Sequence, residues 1–107
     1  MLICTTESVP GKKVLKVEGF VKGTCVRTKS FGKDFGAGIK NLVGGEIDSY
    51  TELQEESRKI AISRLIKDAK RLNPEVNAIL AIRITSTQIT QGASEVSVYG
   101  TAVVLED

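Results

Sequence analysis

Between Lys13 and Lys29 apolar and polar residues alternate. Leu15, Val17, Val21 and Cys25 fall on one side, and Lys16, Glu18, Lys22 and Thr24 mainly on the other. That period of two predicts a half-buried strand. Gly19 and Gly23 interrupt the pattern, and a glycine inside a strand pattern predicts a bulge or a bend. Before it, residues 1–6 read as a short strand or tail, and Val9-Pro10-Gly11 as a turn. The period changes at Ser49. Leu53, Ile60, Ala61, Leu65, Ala69 and Leu72 recur every three or four residues, the stripe of an amphipathic helix. Ser49 and Glu52 have capping-box spacing at its start, and Asn73-Pro74 ends it. Two strands follow. The first has Ala78, Leu80, Ile82 and Ile84 on one face and Ile79, Ala81, Arg83 and Thr85 on the other. The second, from Glu95 to Leu105, has Val96, Val98, Ala102 and Val104 opposite Glu95, Ser97, Tyr99 and Thr101. With a turn at Gln91-Gly92-Ala93 they form an antiparallel hairpin.

The stretch 31–45 has five of the ten glycines. Its apolar residues Phe31, Phe35, Ile39 and Leu42 fit one helical face, while Gly36 and Gly38 each weaken such a helix by about 1 kcal/mol. The expectation is a short helical segment over 31–43 that depends on tertiary contacts and ends at Val43-Gly44-Gly45. The element order is then β-α-α-β-β. The predicted class is α+β: a mostly antiparallel sheet with the long helix packed on one face. The other face would carry Ile79, Ala81, Phe20 and Tyr99.

Length makes this one domain, residues 1–107. A core built from Val, Ile, Leu and Ala in so short a chain is small, which favours further burial in a homo-oligomer. The net charge of +2 comes from 15 basic and 13 acidic residues spread along the chain. Without a basic stripe, nucleic acid is not an expected partner. No run of ~18 apolar residues exists to span a membrane, and the first residues do not form a secretory signal. A cytoplasmic location is the default, with Cys4 and Cys25 reduced.

Histidine is absent. That removes Ser-His-Asp and Cys-His nucleophile systems. No phosphate-binding glycine motif is complete, since Asn41 stands where G-x-G-x-x-G needs a glycine. Backbone N–H groups around Gly36–Lys40 offer an anion-binding concavity, against the blander account of close chain packing. Metal candidates are Cys4, Cys25, Asp34, Glu46 and Asp48. Two cysteines fall short of the four ligands of a closed zinc site, and the carboxylates near the helix start are also explained by the helix dipole.

The residues Asp34-Phe35, Ala37-Gly38-Ile39 and Val43-Gly44-Gly45, followed by Tyr50, Glu52 and Leu53, resemble the YbjQ family, described as heavy-metal-binding proteins. Arg58, Ala61, Leu65, Ala69 and Leu72 on the helix continue the resemblance. So do Gly100-Thr101-Ala102-Val103 and the opening Thr5-Thr6. The resemblance covers nearly the whole chain. Lys40 stands where the family usually has Arg, Glu46-Ile47-Asp48 replaces a more basic stretch of small residues, and residues 72–78 replace a shorter turn. The resemblance implies a small α+β subunit assembling into a ring, commonly a pentamer. It supplies no catalytic residue.

The leading expectation is a non-enzymatic, cytoplasmic ring. Its ligand-binding or interface residues are Phe35, Gly36, Ala37, Gly38, Ile39, Lys40, Val43, Gly44 and Gly45, with a metal ion or small anion as ligand. The alternatives are a small-molecule module with an inter-subunit pocket and Lys40 or Arg58 as counter-charge, and an enzyme using Asp34, Glu46 and Asp48.

Overall fold

The computed structural model describes residues 1–28, 42–43, 46–90 and 92–107. The elements are β1 (Leu2–Ile3), β2 (Val14–Thr28), β3 (Leu42–Val43), β4 (Glu46–Ile47), α1 (Asp48–Leu72), β5 (Ala78–Thr90) and β6 (Ala93–Leu105). The class is α+β. The four-stranded sheet runs β1-β5-β6-β2 and is mixed: β1 lies parallel to β5, while β5–β6 and β6–β2 are antiparallel. Among the described residues there is one helix. Most of the expected glycine-rich helical segment lies outside them, and its last two residues depart from expectation. Leu42–Val43 is extended and pairs with Glu46–Ile47 in a small ladder.

Helix α1 opens at Asp48, before the Ser49 expected to cap it, and closes at Leu72 as Asn73-Pro74 predicts. Its buried stripe is Ser57, Ala61, Leu65 and Ala69, each four residues from the last and almost fully buried. Three of the four are small, so the helix axis lies close to the sheet. Ser57 donates to the Leu53 carbonyl one turn back (2.8 Å), which satisfies its hydroxyl inside the core. Leu72, expected on this stripe, is exposed.

Three register shifts decide which side chains face the helix. In β2 the ladder slips between Val14 and Lys16 and again between Val17 and Gly19. Gly19 supplies the left-handed φ of +127° at the second slip. Beyond it Val21, Gly23 and Cys25 point at the helix, whereas Leu15 and Val17, expected to share that face, are exposed. In β5 the slip falls between Leu80 and Arg83, where Ala81 has φ +54°, unusual for a residue with a side chain. This exchanges the expected faces: Ile79 and Ile82 enter the helix-side core, and Ala78 and Leu80 turn to the opposite face. The N-terminal segment fastens the bulge. The Ala81 N–H donates to the Thr6 carbonyl (2.9 Å), the Ile82 N–H to that of Cys4 (3.0 Å), and the Arg83 guanidinium to that of Thr5 (2.9 Å).

Among the described residues the sheet therefore carries two apolar cores. The larger, under the helix, joins Val21, Cys25, Ala61, Leu65, Ile79 and Val98 with their neighbours. The smaller, on the other face, joins Ala78, Leu80, Val103 and Leu105, with Cys4, Val9 and Val14 of the N-terminal part of the chain folded over it.

The candidate interface: a bare sheet face and a locked edge strand

Among the described residues, the N-terminal segment covers one end of the sheet face opposite the helix. Cross-strand pairing puts Val17 beside Val103, Phe20 beside Thr101 and Lys22 beside Tyr99 on that face. Val17 is 63% exposed, Phe20 66%, Val26 54% and Tyr99 39%. The Phe20 and Tyr99 rings touch, with centroids 6.3 Å apart and planes tilted by 37°, a favourable aromatic geometry. Expectation and structure agree on Phe20 and Tyr99, but Ile79 is buried under the helix. Ile84 and Ile89, on the outer part of the β5–β6 hairpin, are also about half exposed. Exposed apolar strips are a common feature of interaction surfaces.

Strand β2 is an outer strand of the sheet, and outer strands present unpaired backbone groups. Here the helix uses two of them. The Lys22 N–H donates to Asp68 Oδ2 (3.0 Å), and Arg64 Nη1 donates to the Thr24 carbonyl (2.6 Å). The ion pair Arg27–Glu56 (2.8 Å) and the bond from Asn73 Nδ2 to Glu18 Oε1 (2.9 Å) add two further ties. Between them Gly23 lies directly beneath α1. A Cβ built there would fall 2.0 Å from the Ala61 carbonyl oxygen and 2.5 Å from the Leu65 nitrogen.

Hydrogen bonds from the Arg71 guanidinium (2.7 Å) and then from the Lys22 N–H hold the Asp68 carboxyl below the usual aspartate range. A depressed folded-state pKa contributes stability that is complete above the unfolded pKa and is lost as pH falls through the folded value. Asp68→Asn should therefore be less stable than the parent at neutral pH. The difference should vanish in acid, below the aspartate range. Urea unfolding of both proteins across pH 2–7 checks this; a gap that persists at the acid end contradicts it.

The candidate metal ligands do not come together. Cys25 is buried under the helix, whereas Cys4 packs on the other face of the sheet. Among the described residues no three Cys, Asp or Glu side chains cluster as a metal site would require. Glu46 lies in β4 and Asp48 opens α1. Val43 lies in β3, while Asp34, Phe35, Gly36, Ala37, Gly38, Ile39, Lys40, Gly44 and Gly45 lie outside the described residues. Arg58, the proposed counter-charge, is paired with Glu55 on its own helix. Sequence reasoning missed the Gly23 crossing and the Ala81 bulge. The small residues Ser57, Ala61 and Ala69 were the signal for the first.

A family model described as "Putative heavy-metal-binding" matches residues 1–106. The chain belongs to the YbjQ family. Its relatives include UPF0145 proteins of Clostridioides difficile, 53% identical over 107 residues (100% of this chain and 94% of that one), and of Clostridium perfringens, 50% identical over 107 residues (100% and 99%). One from Thermus thermophilus is 47% identical over 106 residues (99% and 91%). A crystal structure of a protein of unknown function from Pediococcus pentosaceus, assigned to the DUF74 family, has the same fold. It superposes with a TM-score of 0.65 at 16% identity, covering 99% of this chain and 98% of that one. The family is one of uncharacterised function, and no enzymatic activity is indicated by these relatives. No helix among the described residues is long and apolar enough to cross a membrane.

Proposed function

We propose that this YbjQ-family chain is a non-catalytic, cytoplasmic binding and assembly protein that works as a closed ring of identical subunits, a pentamer. The observation that carries this reading is the strip Val17, Phe20, Val26 and Tyr99, open to water on the sheet face that the helix does not cover. A second copy of the chain is the occupant that fits. The strip continues a small core already formed on that face, and a domain of this size gains the burial it lacks by association. The ligand, a metal ion or a small anion, belongs where the glycine-rich residues Phe35–Lys40 and Val43–Gly45 meet a neighbouring subunit. The ligand shortage of a single subunit, with Cys4 and Cys25 on opposite faces of the sheet, favours a site shared between copies over one within a chain.

Native mass spectrometry on protein purified without chelator, repeated after chelation, tests both parts. A ring that loses a stoichiometric mass on chelation is the expected result. A ring of unchanged mass would overturn the metal part alone, and a monomer would overturn the assembly.

A further inference from the structure

A shallow groove of about 510 Å³ runs between β2 and the C-terminal half of α1, lined by Lys22, Thr24, Arg64, Lys67, Asp68 and Arg71. Three of these, Arg64, Lys67 and Arg71, are helix cations and Asp68 is a carboxylate, while Lys22, whose side chain the strand directs to the opposite face, borders the groove through its backbone N–H. The carboxylate is already committed: Asp68 accepts from Arg71 and from the Lys22 N–H. Arg64 spends one donor on the Thr24 carbonyl and keeps the remainder of its guanidinium fork. Among the described residues the Lys67 side chain makes no hydrogen bond or ion pair. The groove thus holds an unspent positive charge whose walls are fixed by backbone contacts, including the close crossing at Gly23.

Arg64, Lys67 and Arg71 occupy one helical stripe seven residues long, a row of about 10 Å. A single tetrahedral anion reaches only part of that row, whereas linked phosphates place their charges along it. Guanidinium forks and ammonium groups together are the usual protein partners of phosphate oxygens. Among the described residues no aromatic ring lines the groove, so they offer no stacking platform of the kind a single-stranded nucleic-acid site uses.

We propose that this groove binds a small polyphosphate, an anion of two or more linked phosphate groups. It lies on the helix side of the sheet, away from the exposed strip of Val17, Phe20 and Tyr99.

The test is calorimetric titration of the full chain at low ionic strength with inorganic tripolyphosphate, ATP and, as a control, sulfate. Tripolyphosphate should bind once per subunit and sulfate far more weakly. Lys67→Glu should weaken tripolyphosphate by about tenfold or more. Lys59→Glu, on the same helix but outside the groove, should leave it unchanged, with thermal midpoint and assembly mass unaltered in both variants. Equal affinity for ATP and tripolyphosphate assigns recognition to the phosphate chain; ATP at least tenfold tighter assigns it to a nucleotide. No binding of either would overturn the proposal, as would equal losses in both variants. An assembly that dissociates on Lys67→Glu would overturn it too, because a neighbouring subunit's carboxylates would then fill the groove.

Discussion

Gly23→Ala is expected to cost about 3 kcal/mol or more of folding stability, at the upper end of what overpacking does. The new methyl would sit 2.0 Å from a carbonyl oxygen and 2.5 Å from a backbone nitrogen of α1. Neither atom is the end of a flexible side chain, so only a shift of the whole helix or strand makes room. Such a shift would pull against the Lys22–Asp68 and Arg64–Thr24 bonds that flank the crossing. It would also open the packing of Ala61 and Leu65 on Val21 and Cys25. Thermal unfolding followed by circular dichroism should show a midpoint lower by more than about 10 °C. Lys22→Ala, next to it on the exposed side, should be nearly neutral. An unchanged midpoint for Gly23→Ala would mean that helix and strand do not approach as closely as described.

Phe20→Glu should act on association and leave the fold alone. Phe20 is two-thirds exposed and lies outside both buried clusters, so the subunit loses little by its replacement. In an assembly that covers the strip, the variant forfeits the burial of an aromatic ring, roughly 1.5–3 kcal/mol. It also puts a carboxylate into a desolvated contact. Large central aromatics are the residues on which such contacts depend most. A weakening of about 100-fold or more is expected, with a far-ultraviolet spectrum and thermal unfolding of the isolated subunit that match the parent's. A Phe20→Glu protein of parental mass would move the contact elsewhere.

The four long elements β2, α1, β5 and β6 were legible in the sequence because their periods are long and consistent, whereas the short β3–β4 ladder was not. The α1 stripe, its stop at Asn73-Pro74 and the alternation of β6 needed no tertiary information. What period-two alternation cannot encode is a slip of one residue, since a bulge exchanges every side chain beyond it between faces. Gly19 announced such a slip, yet its consequence for Leu15 and Val17 depends on where pairing with β6 resumes. Ala81 gave no sign at all. Its left-handed backbone is held by carbonyls of Thr6, Cys4 and Thr5 about 75 residues earlier in the chain, and local propensity is blind to contacts of that span. The second core under the N-terminal segment, with Cys4 in it, was missed for the same reason. Of the candidate site, Phe20 and Tyr99 could be placed from alternation alone. The basic groove could not, because its Thr24 wall lies 40 residues from Arg64 and the two meet across the Gly23 crossing.

The proposed covering of the exposed sheet face by further copies of the chain is tested most directly by sedimentation velocity at micromolar concentration. The account predicts one dominant species at five times the 11.5 kDa subunit mass. A single boundary at the mass of one subunit would contradict it.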